Sequence, residues 1–195
     1  DAPDTFRYFA KQGVDIKVIS GDNPVTVSRV AIEAGIKGAE KYVDATTLTD
    51  EDNMRKALTE CTVFGRVTPA QKRSFVRILK ELGNTVAMTG DGVNDAPAIK
   101  EADVGVAMGI TGTDVTKESA DVILLDDNFA TLVKAVEQGR SIYSNIRKFV
   151  RYLLSCNIGE VLTMFLGIVL GLPVVLLPTQ LLLVNLVTDG LPAIA

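Results

Sequence analysis

Up to Arg151, short β-branched runs alternate with stretches whose apolar residues recur at helical spacing. That alternation predicts an α/β domain, a parallel sheet covered by helices. Strands are expected at Ile16 to Ile19, Thr62 to Phe64, Thr85 to Met88, Val104 to Ala107 and Val122 to Leu125. Helices are expected at Pro3 to Gln12, Val25 to Ala34, Glu51 to Glu60, Pro69 to Leu82 and Asp95 to Glu101. Gly13, Gly35 and Gly83 stand just past three of them, where a left-handed residue commonly ends a helix. Asp126-Asp127-Asn128 then supplies capping side chains for a helix near Phe129, and a helical stretch from Ser141 continues through Arg151 with no glycine or proline to stop it.

Beyond Arg151 the pattern changes. Tyr152 to Leu172 is an apolar run long enough for a bilayer crossing, which takes roughly 20 residues, and a second run spans Val174 to Ile194. Glu160 and Asp189 are their only charged side chains. Together with the Gly171-Leu172-Pro173 and Pro178 region between them, the runs read as a transmembrane helical hairpin with a short far-side loop. The hairpin makes the protein multi-pass, and Arg147, Lys148 and Arg151 before the first run place the soluble domain in the cytoplasm by the positive-inside rule. The chain opens without an apolar stretch, so no signal peptide is expected there. Its net charge of −4 gives no footprint for nucleic acid. Two distant cysteines, Cys61 and Cys156, predict neither a disulfide nor a zinc site.

Candidate chemistry gathers in loops at the C-terminal ends of strands, where open α/β sheets bind ligands. Thr89-Gly90-Asp91-Gly92-Val93-Asn94-Asp95-Ala96-Pro97 offers close backbone approach at its glycines. Asp91, Asn94 and Asp95 add hard oxygens of the kind magnesium takes beside a phosphate. Ser20-Gly21-Asp22-Asn23-Pro24 leads into a helix N-terminus and suits a phosphoryl group, or serves only as a cap. Arg66 and Lys72 bracket Val67-Thr68-Pro69. Lys72 falls in the first helical turn, where the dipole disfavours a cation, so it is either solvated or set to neutralise phosphoryl charge.

In the membrane runs, Asn157 and Glu160 lie three apart, and Asn185, Thr188 and Asp189 are spaced i, i+3, i+4, so each set would share a helix face. Ionisable groups there are functional candidates. An oxygen-only set in a chain without histidine favours calcium over copper or zinc. Hydrogen bonding between the two helices is the alternative role.

These residues carry a resemblance. Gly65-Arg66-Val67-Thr68-Pro69, Thr89 to Pro97 and Asp126-Asp127-Asn128-Phe129 resemble the phosphorylation domain of P-type ATPases, built on the haloacid-dehalogenase fold. Asn157-Ile158-Gly159-Glu160 and Asn185 to Pro192 resemble the fifth and sixth membrane helices of sarcoplasmic-reticulum-type calcium pumps. The resemblance implies a phosphorylation domain at 1–145 and a stalk with two membrane helices at 146–195. It implies ATP and Mg2+ as cofactors, with Asp91 as the magnesium ligand and Asn94 and Asp95 ordering the site. Ser20 and Gly21 would hold phosphoryl oxygens, and Lys72 would contact the transferring phosphate. Asp22 would position nucleotide or the magnesium shell, with Arg66 beside it. Asn157, Glu160, Asn185, Thr188 and Asp189 would bind the transported cation, calcium for preference, with manganese or a monovalent ion left open.

Ser20 stands where the family usually has threonine, and keeps the hydroxyl. The family's acceptor aspartate lies in an Asp-Lys-Thr-Gly-Thr string that does not occur here. The partners implied are therefore the N-terminal part of the same pump, ATP, the cation and the bilayer, and the chain alone is expected to be inactive. A membrane-tethered phosphatase of the same fold and a non-catalytic pump fragment are the competing readings.

Overall fold

A computed structural model describes residues 2–173 and 176–190. The chain divides into two compact units, Asp1–Ala135 and Val136–Ala195.

The first unit is α/β and its strands pair in parallel. They are divided between two three-stranded sheets, β1 (Val18–Ile19), β3 (Val63–Gly65) and β2 (Tyr42–Asp44) in one, and β4 (Ala87–Gly90), β5 (Val104–Met108) and β6 (Val122–Leu124) in the other. β2, which the sequence pattern does not predict, pairs Asp44 with Gly65. Helices α1 (Ala2–Lys11), α2 (Pro24–Glu33), α3 (Glu51–Glu60), α4 (Pro69–Glu81), α5 (Ala96–Glu101) and α6 (Asp114–Ser119) connect the strands. The bounds of the first five lie within a residue of expectation, whereas nothing in the pattern predicts α6. Gly13, Gly35 and Gly83 all sit at positive φ, as helix-terminating residues do.

Helix α4 organises the packing. It starts on a reciprocal cap, Thr68 Oγ1 accepting from the Gln71 amide while the Gln71 side chain accepts from the Thr68 amide, with Pro69 in the first turn. Phe75 and Ile78 enter a cluster with Phe64, Leu58, Ala57 and Val67, the Phe64 and Phe75 rings lying 5.1 Å apart. Val76, adjacent in sequence but turned by helical rotation, enters a second cluster with Met88, Ala98 and Ile99. One helix thus contributes to the cores beneath both sheets.

Because all strands within a sheet are parallel, their following loops emerge at one end. Gly65 at the end of β3 is fixed by close approach, since a Cβ there would stand 2.4 Å from Pro24 Cα at the start of α2.

Helix α7 (Phe129–Val169) has 41 residues, about 60 Å at 1.5 Å per residue, roughly twice a bilayer's hydrocarbon thickness. Among the described residues it is the one helix long and apolar enough to cross a membrane. It ends on Gly171 at φ 67°, whose N–H donates to Ile168 while Leu172 N–H donates to Gly167, the paired bonds of a left-handed stop. Helix α8 (Pro178–Val184) begins on proline and passes into a π-helical turn, Asn185–Asp189. This described segment is shorter than the span expected over Val174 to Ile194. Val174, Val175 and Leu191 to Ala195 lie outside the described residues.

Gly65→Ala is expected to destabilise the first unit by about 1–3 kcal/mol, because Pro24 backbone atoms cannot rotate away from the added methyl. Hydrogen exchange should read this as lost protection in α2 and β3, while β5 and β6 amides keep theirs.

Candidate functional site

The loop after β1 is folded on itself and onto the loop after β3. Ser20 Oγ accepts from the Asp22 amide at 3.1 Å, and Asn23 Oδ1 caps α2 through the Val25 amide at 3.0 Å. Arg66 N–H donates to Asp22 O at 2.8 Å, and Val67 N–H donates to Ser20 O at 3.0 Å. Gly21 is exposed, with nothing near the position a Cβ would take. The two loops therefore hold each other, and Asn23 and Pro24 serve the helix start while Ser20, Gly21 and Asp22 line the end of the sheet.

Arg66 adopts left-handed backbone, φ 53°, and its guanidinium donates to Asp44 Oδ2 at 2.9 Å. Asp44 also accepts from the Thr46 hydroxyl and amide. The Thr46 hydroxyl is the foremost reason its carboxyl sits below the usual range, with the Arg66 charge assisting. No local signal in the sequence marks Asp44, because β2, a three-residue strand, leaves too short a pattern.

Lys72 and Asp95 form the shortest ion pair among the described residues, Nζ to Oδ1 2.6 Å, with the side chains only 15% and 11% exposed. Lys72 reaches Asp95 because it stands one turn before Val76 on the face of α4 that packs toward Met88 and Ile99. The cation at a helix start, unfavourable by dipole alone, is thereby matched to a carboxylate. Gly90 makes room, since a Cβ there would lie 2.5 Å from Asp95 Cβ. The other Asp95 oxygen approaches the Gly92 amide at 3.4 Å. Asp95 thus ties its own loop both to α4 and to the backbone of Gly92.

Asp91 and Asn94 face solvent beside it. The Asp91 carbonyl accepts from Thr113 N–H at 3.0 Å and from the Thr116 hydroxyl at 3.4 Å, the latter side chain being wholly buried. Neither threonine stands out in the sequence, because the contacts span more than twenty residues and no local pattern marks them. The Asp126-Asp127-Asn128 turn divides its labour differently from expectation. Asn128 caps α7 through the Ala130 amide, and Asp126 accepts from Thr131, whereas Asp127 turns away from the helix to the amides of Ile110 and Thr111.

The exposed Asp91 carboxylate, with the exposed Asn94 amide three residues on in the same loop, fits magnesium, which commonly takes one or two protein carboxylates and completes its shell with phosphate and water. Among the described residues no three acidic or cysteine side chains form a metal cluster, so the loop offers a partial shell and not a closed cage.

In the second unit, Asn157 Nδ2 donates to Leu153 O of its own helix at 2.9 Å, and Thr163 donates to Gly159 O. Glu160, one turn after Asn157, is partly buried. Asn185 opens the π-helical turn, and Gly190 N–H donates back to its carbonyl. The α-helical spacing assumed for Asn185, Thr188 and Asp189 does not hold in that turn. The side chains of Thr188 and Asp189, and all of Leu191 and Pro192, lie outside the described residues.

Residues 1–103 match the model of the haloacid dehalogenase-like hydrolases, and the chain belongs to that family. It is homologous to calcium-transporting P-type ATPases. It is 48% identical to the endoplasmic reticulum calcium ATPase srcA of Aspergillus fumigatus, over all of this chain and 21% of that protein. It is 50% identical to the endoplasmic reticulum-type calcium-transporting ATPase 4 of Arabidopsis thaliana, over 94% of this chain and 18% of that one. The solved structure of a zinc-transporting PIB-type ATPase superimposes with a TM-score of 0.64 at 31% identity, covering 86% of this chain and 23% of the other. The chain spans about a fifth of the length of the curated relatives it matches.

The Lys72–Asp95 pair can be tested by a double-mutant cycle. Lys72→Met and Asp95→Asn should each cost about 3–5 kcal/mol in local stability around β4 and α5, because each strands a buried partner. The double variant should be markedly less unstable than the sum. Hydrogen exchange of β4 and α5 amides is the measurement, and strict additivity would mean the two groups do not stabilise one another.

Proposed function

We propose that this chain is the C-terminal part of the phosphorylation domain of an ATP-driven cation pump, residues 1–145, leading into a stalk and two membrane helices, residues 146–195. ATP phosphorylates an aspartate carried by another part of the same protein, and the cycle moves a cation, calcium by preference, across a membrane. The observation that carries this reading is the joining of three polar loops at the strand ends by Arg66–Asp22, Val67–Ser20 and Lys72–Asp95, with Asp91 left facing solvent.

Each group takes a role in this reading. The Ser20 hydroxyl and the Gly21 amide hold phosphoryl oxygens. Asp95 takes one of the three ammonium donors of Lys72, and the remaining two serve the transferring phosphate. Asp22 and Arg66 lie beside the nucleotide, Arg66 steadied by Asp44. Asn94 orders the loop. Asp91 holds magnesium, which when bound offsets the charge of the phosphoryl group. In the membrane, Asn157, Glu160, Asn185, Thr188 and Asp189 supply oxygen ligands, completed by helices outside this chain. Helix α7 ties the phosphorylation domain to Glu160 without a break, so a change of phosphorylation state can be passed along it. The soluble domain faces the cytoplasm and the protein is multi-pass.

Two measurements in the full-length protein test the reading. Asp91→Asn should nearly abolish phosphorylation from ATP at limiting magnesium, and wild-type phosphoenzyme levels there would remove Asp91 from the site. Glu160→Gln and Asp189→Asn should each raise the calcium concentration needed for phosphorylation from ATP by at least about tenfold, since affinity at oxygen sites follows ligand charge. Phosphorylation by inorganic phosphate without calcium should persist in both variants. Unchanged calcium dependence would reassign these residues to helix packing, and the assignment of calcium to this pair of helices would fall with them.

A further inference from the structure

The parallel register of β4, β5 and β6 sets Gly90 beside Ala107 and Met108 beside Leu124, so the loops that follow these strands emerge together. The middle loop, 109–113, is tightly drawn. A Cβ at Gly109 would lie 2.6 Å from Leu124 O, and one at Gly112 would lie 2.0 Å from Met108 O. What closes this loop is Asp127, a non-glycine residue in left-handed backbone at φ 50°. One oxygen of its carboxylate accepts from Ile110 N–H at 2.9 Å. The other accepts from Thr111 N–H and the Thr111 hydroxyl, both at 2.8 Å. Leu124 O receives both Gly109 N–H and Asp127 N–H, pinning the two loops at their bases.

The segment so held continues into Thr113 and Thr116. Their hydroxyls share a hydrogen bond of 2.7 Å, and the Thr113 amide and Thr116 hydroxyl converge on the Asp91 carbonyl. On its other side, Asp127 is flanked by Asp126 and Asn128, whose side chains bond forward into the first turn of α7. A turn needed only to start a helix would not spend a carboxylate on three donors from a different loop.

We propose that Asp127 is a positioning residue for the Asp91 loop, acting through segment 109–116 and linking the orientation of that loop to the first turn of α7. The inference rests on the reading of Asp91 as the magnesium-holding carboxylate. The carboxylate is required in this role because both its oxygens accept. The isosteric amide replaces one acceptor with a donor that faces backbone N–H groups.

The test uses the full-length pump without calcium and measures the magnesium concentration giving half-maximal phosphorylation by inorganic phosphate. Asp127→Asn should raise it about tenfold, the lower end of what outer-shell partners of a metal site contribute. Thr116→Val, which removes one donor to the Asp91 carbonyl, should raise it less. The double variant should fall short of the product of the two, because both act through one carbonyl. If Asp127→Asn lowers only the maximal phosphoenzyme level and leaves the magnesium dependence unchanged, the residue is structural and the proposal is overturned. Should that variant fail to accumulate, Thr116→Val alone decides, a shift supporting the relay and no shift overturning it. Asp91→Asn run alongside separates the two claims. No magnesium effect from Asp91→Asn removes the underlying reading, whereas an effect there with none from Asp127→Asn and Thr116→Val removes this inference alone.

Discussion

Burial of helix α4 on two sides is the constraint on which the first unit depends. Phe75 and Ile78 commit one face to the core beneath β3, Val76 commits the next to the core beneath β4, and the helix cannot rotate to improve one without opening the other. Lys72, a turn earlier, is carried by that fixed rotation into contact with Asp95. Apolar packing therefore sets the geometry of an ion pair that desolvation would otherwise make costly, and the ion pair in turn ties the glycine-flanked loop to the helix.

The same logic separates scaffold from chemistry at the strand ends. Carboxylates that carry structure are engaged by donors: Asp44 by Thr46 and Arg66, Asp95 by Lys72, and Asp103 by the Val86 amide, the main cause of its lowered pKa. Asp127 is likewise held below the usual carboxylate range, foremost by the Ile110 amide. Asp91 differs in that its carbonyl is held while its side chain faces solvent. Fixing the backbone of a ligand-binding residue while leaving its charge accessible is how a loop remains ordered before its ligand arrives.

Much of this is legible along the chain. β-branched runs locate five of the six strands, and glycine stops locate helix ends, because both signals are local. The loop at 89–97 is recognisable because its glycines and oxygens are contiguous. What escapes is either too short or too distant in sequence. β2 is three residues long, α6 is six, and the bonds from Asp127 to Thr111 and from Thr116 to Asp91 join segments that only the parallel register brings together. Capping chemistry near Asp126 can be anticipated, but a run of three cap-forming side chains does not reveal which of them turns away. The π-helical turn at Asn185 follows the same rule, since residue spacing assumes the α-helical period that the turn abandons.

Division of six strands between two sheets leaves β1, β2, β4 and β6 as edges among the described residues, where one continuous sheet would leave two. An edge presents a row of backbone donors and acceptors able to template a strand from another molecule. β1 blunts this with a length of two residues and β2 with three, but β4 runs for four and begins on an exposed alanine. With the unit produced on its own, the β4 edge is a template on which a strand of another copy can pair.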